Sequence, residues 1–149
     1  MTIGIASDHR GYNVKEMLKG RLSEYDIIDY GTDSEEPADF PDYAKKLGTG
    51  LLANEVELGI AICGTGIGMS IAANKVKGIR AARCVNTDDA FFARNHNDSN
   101  VLCISSNNDI NNIYEIVDTF LNTKTSEEER HHKRVQKIIN YENGEYNEL

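Results

Sequence analysis

No apolar run in this chain approaches the roughly 18 residues that a membrane-spanning helix needs. Its first residues, MTIGIASDHRGY, contain no basic stretch leading into a long apolar one. The expectation is a cytoplasmic chain with no membrane partner and no secretory leader. Cysteine is scarce. Cys63, Cys84 and Cys103 are the only three, and none forms a CxxC pair, which speaks against a zinc knuckle or a thioredoxin-like centre. An odd number without a leader reads as free thiols in a reducing compartment. Cys84 (ARCV) and Cys103 (VLCI) lie inside apolar runs and read as small core residues. Positive charge is short as well: 16 Lys and Arg stand against 24 Asp and Glu, for a formal net charge of −8. That disfavours nucleic acid, which needs a basic footprint. It does not disfavour a small phosphorylated ligand, which needs only local positive charge and aimed N–H groups. Internal repeats and low-complexity segments are absent, and both prolines fall in one acidic loop, GTDSEEPADFPDY (31–43).

What is present fits one domain, residues 1–149, with 40% apolar and 27% charged residues. Five β-rich runs stand out at 2–6, 27–30, 58–62, 79–85 and 101–104. They are continuously apolar rather than alternating, as in strands covered on both faces. Helical spacing links Val14, Met17, Leu18, Leu22 and Tyr25, and again Ile110, Ile113, Val117, Phe120 and Leu121. Further helices are expected from about Pro41, over 70–76 or slightly earlier, over 88–95, and over a tail of 126–141 opened by Ser126. Alternating strands and helices predict an α/β chain: a three-layer α/β/α, Rossmann-like fold around a five-stranded parallel sheet. Ligands of such folds bind beyond the carboxyl ends of the strands. Ser7-Asp8-His9, Gly31-Thr32-Asp33, Cys63-Gly64-Thr65, Asn86-Thr87-Asp88 and Ser105-Ser106-Asn107 follow the five runs there. Tyr43, after the acidic loop, is placed to lean over a pocket, and the last residues, GEYNEL, read as frayed.

The segment AICGTGIGMS (61–70) carries the sharpest signal. A dinucleotide fingerprint needs GxGxxG on the first strand, but here GxGxG follows the third. A P-loop needs lysine where Thr65 stands, and a thiol phosphatase loop needs arginine where Met69 stands. What remains is a strand-to-helix turn whose N–H groups can hold an oxyanion, with glycines that allow close approach. The same field favours a thiolate at Cys63. A base beside an oxyanion site suits proton transfer next to a carbonyl; a buried cysteine before a glycine turn is the plainer reading. His9, beside Asp8, and His96, in RNHND, are the histidine candidates, both taken as lying on the ligand edge; His131 and His132 read as solvated. Arg130 and Arg134, four apart on the tail helix, share a face and can grip a phosphate, or can simply be solvated with Glu127 pairing Arg130.

Taken together, SDHRG, DFPDYA, ICGTGIGMSIAANK followed by GIRAA, RNHNDSNVL and RHHKRV resemble the type B ribose-5-phosphate isomerases over roughly residues 2 to 140. The wider family includes allose- and galactose-6-phosphate isomerases. The resemblance implies an aldose–ketose isomerase that needs no metal and no organic cofactor. It implies Cys63 as the base shuttling a proton through a cis-enediolate. Gly64, Gly66, Ile67 and Gly68 would line the anion hole, with the Thr65 hydroxyl assisting. His96 would open the sugar ring, Asp8 and Asn97 would contact the sugar, and His9, Arg130 and Arg134 would hold the phosphate. Family sites lie between two subunits, so the 96–97 segment would serve a partner's cysteine in a homodimer or dimer of dimers. Relatives without the cysteine use a glutamate where this chain has Met69. Two departures stand out: Asn107 replaces a basic residue after strand five, and Glu128-Glu129 replaces a Gly-Gly turn. Ribose 5-phosphate is the leading substrate because the cysteine and both histidines lie on one chain. A phosphohexose isomerase and a non-catalytic sugar-phosphate-binding protein are the alternatives.

Overall fold

The computed structural model describes residues 1–145, so most of the expected frayed end, 146–149, lies outside the described residues. Its elements alternate: β1 (Thr2–Ser7), α1 (Tyr12–Arg21), β2 (Asp26–Asp29), α2 (Phe40–Leu52), β3 (Leu58–Cys63), α3 (Ile67–Asn74), β4 (Ala81–Arg83), α4 (Thr87–Asn97), β5 (Val101–Ser105), α5 (Ile110–Asn122) and α6 (Glu129–Glu142). The five strands pair in the order β2-β1-β3-β5-β4, all parallel. The α/β expectation holds. No helix among the described residues is long and apolar enough to cross a membrane.

β3 is central and every residue of LGIAIC is buried. Side chains alternate across the sheet, and the two faces differ in bulk. Ile3, Ile5, Leu58, Ile60, Ile62, Leu102 and Ile104 form one core with residues of α1, α4 and α5. Ala6, Ala61, Cys63, Val101 and Cys103 form the other with α2 and α3. The small residues let α2 come close: a Cβ on Gly4 would lie 2.7 Å from a methyl of Leu47. Parity therefore turns the Cys63 side chain toward α2 and α3, among Met69, Phe40 and Tyr43.

The edge strand β2, DIID, is mostly exposed. Its Asp29 carboxylate accepts 2.6 and 2.8 Å bonds from the Lys15 and Lys19 ammonium groups. Lys15 is fully buried. Burial opposes charge on Asp29, but the two lysines hold its carboxyl below the ordinary range.

Several boundaries differ from expectation. β4 is only Ala81–Arg83, because Arg80 is diverted to the Asn100 side chain and Val85 to the Asp89 carboxylate. α1 ends at Arg21, before Tyr25. α3 starts at Ile67 and ends at Asn74, and α4 runs from Thr87 to Asn97. α6 starts at Glu129 rather than Ser126, whose hydroxyl instead accepts from the Glu128 N–H at 3.0 Å.

Candidate active site

Strand order reverses beside β1: its crossover leads to β2 on one side, while β3 lies on the other. Such a switch point opens a crevice at the carboxyl ends. Ser7 pairs Ile62 there, and the Asp8 N–H bonds to the Ile62 carbonyl, so Asp8, His9 and Cys63 gather at one mouth. The Asp8 carboxylate is buried and its Oδ1 accepts from the Arg10 and Gly11 N–H groups, both at 3.0 Å, which fixes the turn into α1. His9 Nδ1 lies 3.1 Å from the Ala38 N–H and 3.2 Å from the Ala38 carbonyl, so the tautomer decides which of the two it bonds, and either contact anchors the ring to the acidic loop.

The loop from Cys63 to Gly68 is built on the sulfur. The Gly66 N–H donates to Cys63 Sγ at 3.2 Å. Gly66 is left-handed, φ 77°, and a Cβ there would meet the Ile104 carbonyl carbon at 3.0 Å, so only glycine fits. The Thr65 hydroxyl accepts from the Ile67 N–H at 3.2 Å, and the Thr65 carbonyl accepts from Arg83 Nε at 2.9 Å. The Ser105 hydroxyl donates to the Gly64 carbonyl at 2.7 Å and accepts from the Asn107 N–H at 3.1 Å, tying the turn after β5 to the loop. Gly68 lies under Phe40, and Tyr43 is half-buried against Gly31. Tyr43 lines a shallow cavity of about 400 Å³ with Thr32 and Asp33. Met69 is buried in the core on the Cys63 face, away from solvent.

The other two thiols lie in the core as well. Burial, then the Asp89 carboxylate, pushes Cys84 up to about 12, and burial raises Cys103 still more. Both remain neutral core groups, as their apolar runs predicted.

His96 and Asn97 do not join this mouth. The expectation that His96 sits on the ligand edge is corrected by chain direction: α4 leaves the carboxyl end of β4 and runs back, so its last turn falls at the amino end of the parallel sheet. Arg130 and Arg134 lie on α6, which follows the descending α5 and packs on α4. The expectation for His131 is also corrected. It is buried, its ring stacks on His96 with centroids 4.0 Å apart, and its Nδ1 lies 2.8 Å from the Ser126 hydroxyl. Burial, then His96 and Arg130, holds its imidazole below the ordinary value. The exposed His132 meets the Ser126 carbonyl through Nε2. A cavity of about 320 Å³ is lined there by His96, Asp98, Ser126, His131 and His132. Arg130 pairs with Glu128, not Glu127, at 2.6 Å on the exposed surface. Asn97 is exposed, with its amide bonded to the Phe92 carbonyl.

The sequence-predicted residues thus fall into two groups. Asp8, His9, Tyr43, Cys63, Gly64, Thr65, Gly66, Ile67, Gly68 and Asn107 stand at the carboxyl end; His96, Asn97, Arg130 and Arg134 stand at the other. Sequence reasoning gave no role to Arg10, Arg83, Ser105 or His131. The position of Ser105 directly after a strand was the available signal for it.

Comparison with known proteins agrees over nearly the whole chain. The family model described as Ribose/Galactose Isomerase matches residues 3–138. A probable ribose-5-phosphate isomerase B of Mycoplasma pneumoniae is 48% identical over 145 residues, covering 94% of each chain. The solved Clostridium thermocellum ribose-5-phosphate isomerase B superposes with a TM-score of 0.93 at 44% identity, covering 97% of this chain and 99% of that one. The Mycoplasma genitalium ribose-5-phosphate isomerase B solved with bound ribulose-5-phosphate gives 0.89 at 40% identity, covering 95% and 96%. The chain belongs to the ribose/galactose isomerase family and is an isomerase.

Proposed function

We propose that this isomerase interconverts D-ribose 5-phosphate and D-ribulose 5-phosphate, with Cys63 as the base. The observation that carries the reading is the sulfur at the end of β3, bonded to the Gly66 N–H at the mouth of the glycine loop. The names of the relatives supply the substrate. In the open-chain sugar, Cys63 Sγ takes the proton from C2. The electron pair becomes a C1–C2 double bond, and the negative charge on O1 is held by those N–H groups of the Gly64–Gly68 loop not already bonded to Cys63 Sγ or the Thr65 hydroxyl. Sγ then returns the proton to C1 while the O2 proton passes to O1, with the Thr65 hydroxyl as relay, leaving a carbonyl at C2. No cofactor is required, because the hydrogen leaves and returns as a proton.

Ring opening needs an acid–base group at the ring oxygen, and no imidazole of the same chain other than His9 stands at this mouth. The reading therefore places the partner's His96 there, together with the partner's Asn97, Arg130 and Arg134, in a homodimer whose sites are shared. Exposed apolar residues on α3 and α4, Ile67, Ile71, Phe91 and Phe92, support such a pairing. Asp8 and Tyr43 flank the sugar, and His9 binds the phosphate together with Asn107. The C-terminal helix carries both phosphate arginines and dimer contacts within one domain.

The test is turnover of ribose 5-phosphate, allose 6-phosphate and galactose 6-phosphate by the purified chain. Turnover of the pentose at least about tenfold above either hexose is expected, a margin of the size that binding contacts provide. A faster hexose phosphate would overturn the substrate, and no turnover of any would overturn the activity.

A further inference from the structure

One cation at the catalytic mouth is unused by that scheme. Arg10 follows His9, and its backbone N–H is pinned by Asp8, which sets the direction of the side chain. Its guanidinium lies flat over Gly64: a Cβ built on Gly64 would sit 2.8 Å from Cζ and 2.9 Å from Nε and Nη1. Gly64 is the residue immediately after Cys63, and a side chain there would evict the arginine. The guanidinium is exposed and has no carboxylate partner among the described residues, although the chain carries 24 acids against 16 bases. A cation left without an acid in so acidic a chain is available for an anion from solution.

Its neighbours indicate which anion. Under Arg10, the Gly64 carbonyl is held by the Ser105 hydroxyl, and that hydroxyl is held by the Asn107 N–H. Arg10, Gly64, Ser105 and Asn107 are thus consecutive contacts across the mouth. Asn107 is neutral. Arg10, the residue after His9, supplies permanent positive charge over Gly64 of the same loop.

We infer that Arg10 is a further substrate-binding residue, which grips the phosphate of the sugar from above Gly64 and supplies the charge that Asn107 lacks. A guanidinium suits this task because its planar fork donates to two phosphate oxygens at once. The inference rests on the sugar-phosphate reading above. It assigns Arg10 to the phosphate, whose charge does not change during the reaction, so Arg10 binds ground state and transition state alike.

The experiment is steady-state kinetics of the full chain and of Arg10→Gln and Arg10→Lys, with inorganic phosphate as competing probe. Arg10→Gln should raise KM for ribose 5-phosphate about tenfold, weaken phosphate inhibition by a similar factor, and leave kcat within about twofold, as expected for one charge-assisted contact. Arg10→Lys should recover part of the loss. Asn107→Arg in the Arg10→Gln background should recover most of it, since that side chain reaches the same anion from across Ser105. Unchanged KM and unchanged phosphate inhibition in Arg10→Gln would overturn the assignment, as would a loss confined to kcat. If the wild-type chain fails to turn over ribose 5-phosphate, the substrate reading fails separately. Calorimetric titration with inorganic phosphate then decides Arg10: binding about tenfold weaker in Arg10→Gln supports it, and equal or absent wild-type affinity overturns it.

Discussion

The two ends of the sheet are built from different materials. At the carboxyl end, polar side chains are organised around a glycine loop: the Cys63 sulfur accepts from the Gly66 N–H, and the Ser105 hydroxyl holds the Gly64 carbonyl. At the amino end they stand on helices: His96 stacked on His131, and Arg130 and Arg134 on α6. In the proposed reading one end moves a proton beside a carbonyl but lacks a ring-opening group in place. The other has imidazoles and guanidiniums but no base beside an oxyanion cradle. The difference teaches that the chain carries two unlike groups of polar residues at opposite ends of its strands, and in the proposed reading a complete site calls for both.

The comparison can be broken hardest at Cys63. Replacing it with alanine should lower kcat by about 10²–10⁴-fold, the range for a general base, while Cys84→Ala, just beyond β4 and buried in the other core, should stay within about twofold because it removes no reacting group. Equal losses from the two would erase the distinction between the thiols. Next in size is His96→Asn, expected to cost about 10²-fold on cyclic substrate and far less on an open-chain analogue; equal losses on both would deny a ring-opening role. Gly66→Ala attacks the glycine loop of the carboxyl end. Left-handed geometry alone costs roughly 1–2 kcal/mol in a non-glycine residue, and the contact with Ile104 adds to it. Its urea midpoint should fall together with activity.

The smallest effect lies at the amino end. His131 is held below its ordinary value of 6.5 by burial, His96 and Arg130. The unfolded chain therefore binds the proton first as pH falls below 6.5. Stability from this group is full above that value and declines as pH drops toward the lower folded value. His131→Asn should flatten the fall of the urea midpoint between about pH 7 and 5; an unchanged slope would show that the stacked pair does not titrate with folding.

The sequence made the carboxyl end legible and the amino end not. LGIAIC reads as a buried central strand because all its residues are apolar, and glycine spacing alone excluded nucleotide loops. The parity that turns Cys63 toward Tyr43 follows from strand geometry. His96 was misplaced because a residue's end of the sheet depends on chain direction: the helix after β4 descends, and that was deducible once β4 was assigned. Burial of His131 was hidden by its neighbours, Arg130, His132 and Lys133, since only one face of α6 meets α4. The buried Lys15 escaped for a similar reason, as its Asp29 partner is 14 residues away on an edge strand. The short β4 reflects competition from Asn100 and Asp89 side chains, which no periodicity reveals.

The central claim is that one site draws on both halves from two copies, and subunit complementation tests it most directly. Cys63→Ala and His96→Asn chains are each expected to be nearly inactive alone. Mixed and allowed to exchange subunits, they form heterodimers with one intact site and one doubly altered site. Random pairing predicts recovery to about a quarter of wild-type activity, since half of the dimers are mixed and each carries one working site. Activity no greater than the sum of the two separate variants, with exchange verified by mass spectrometry, would contradict the shared site.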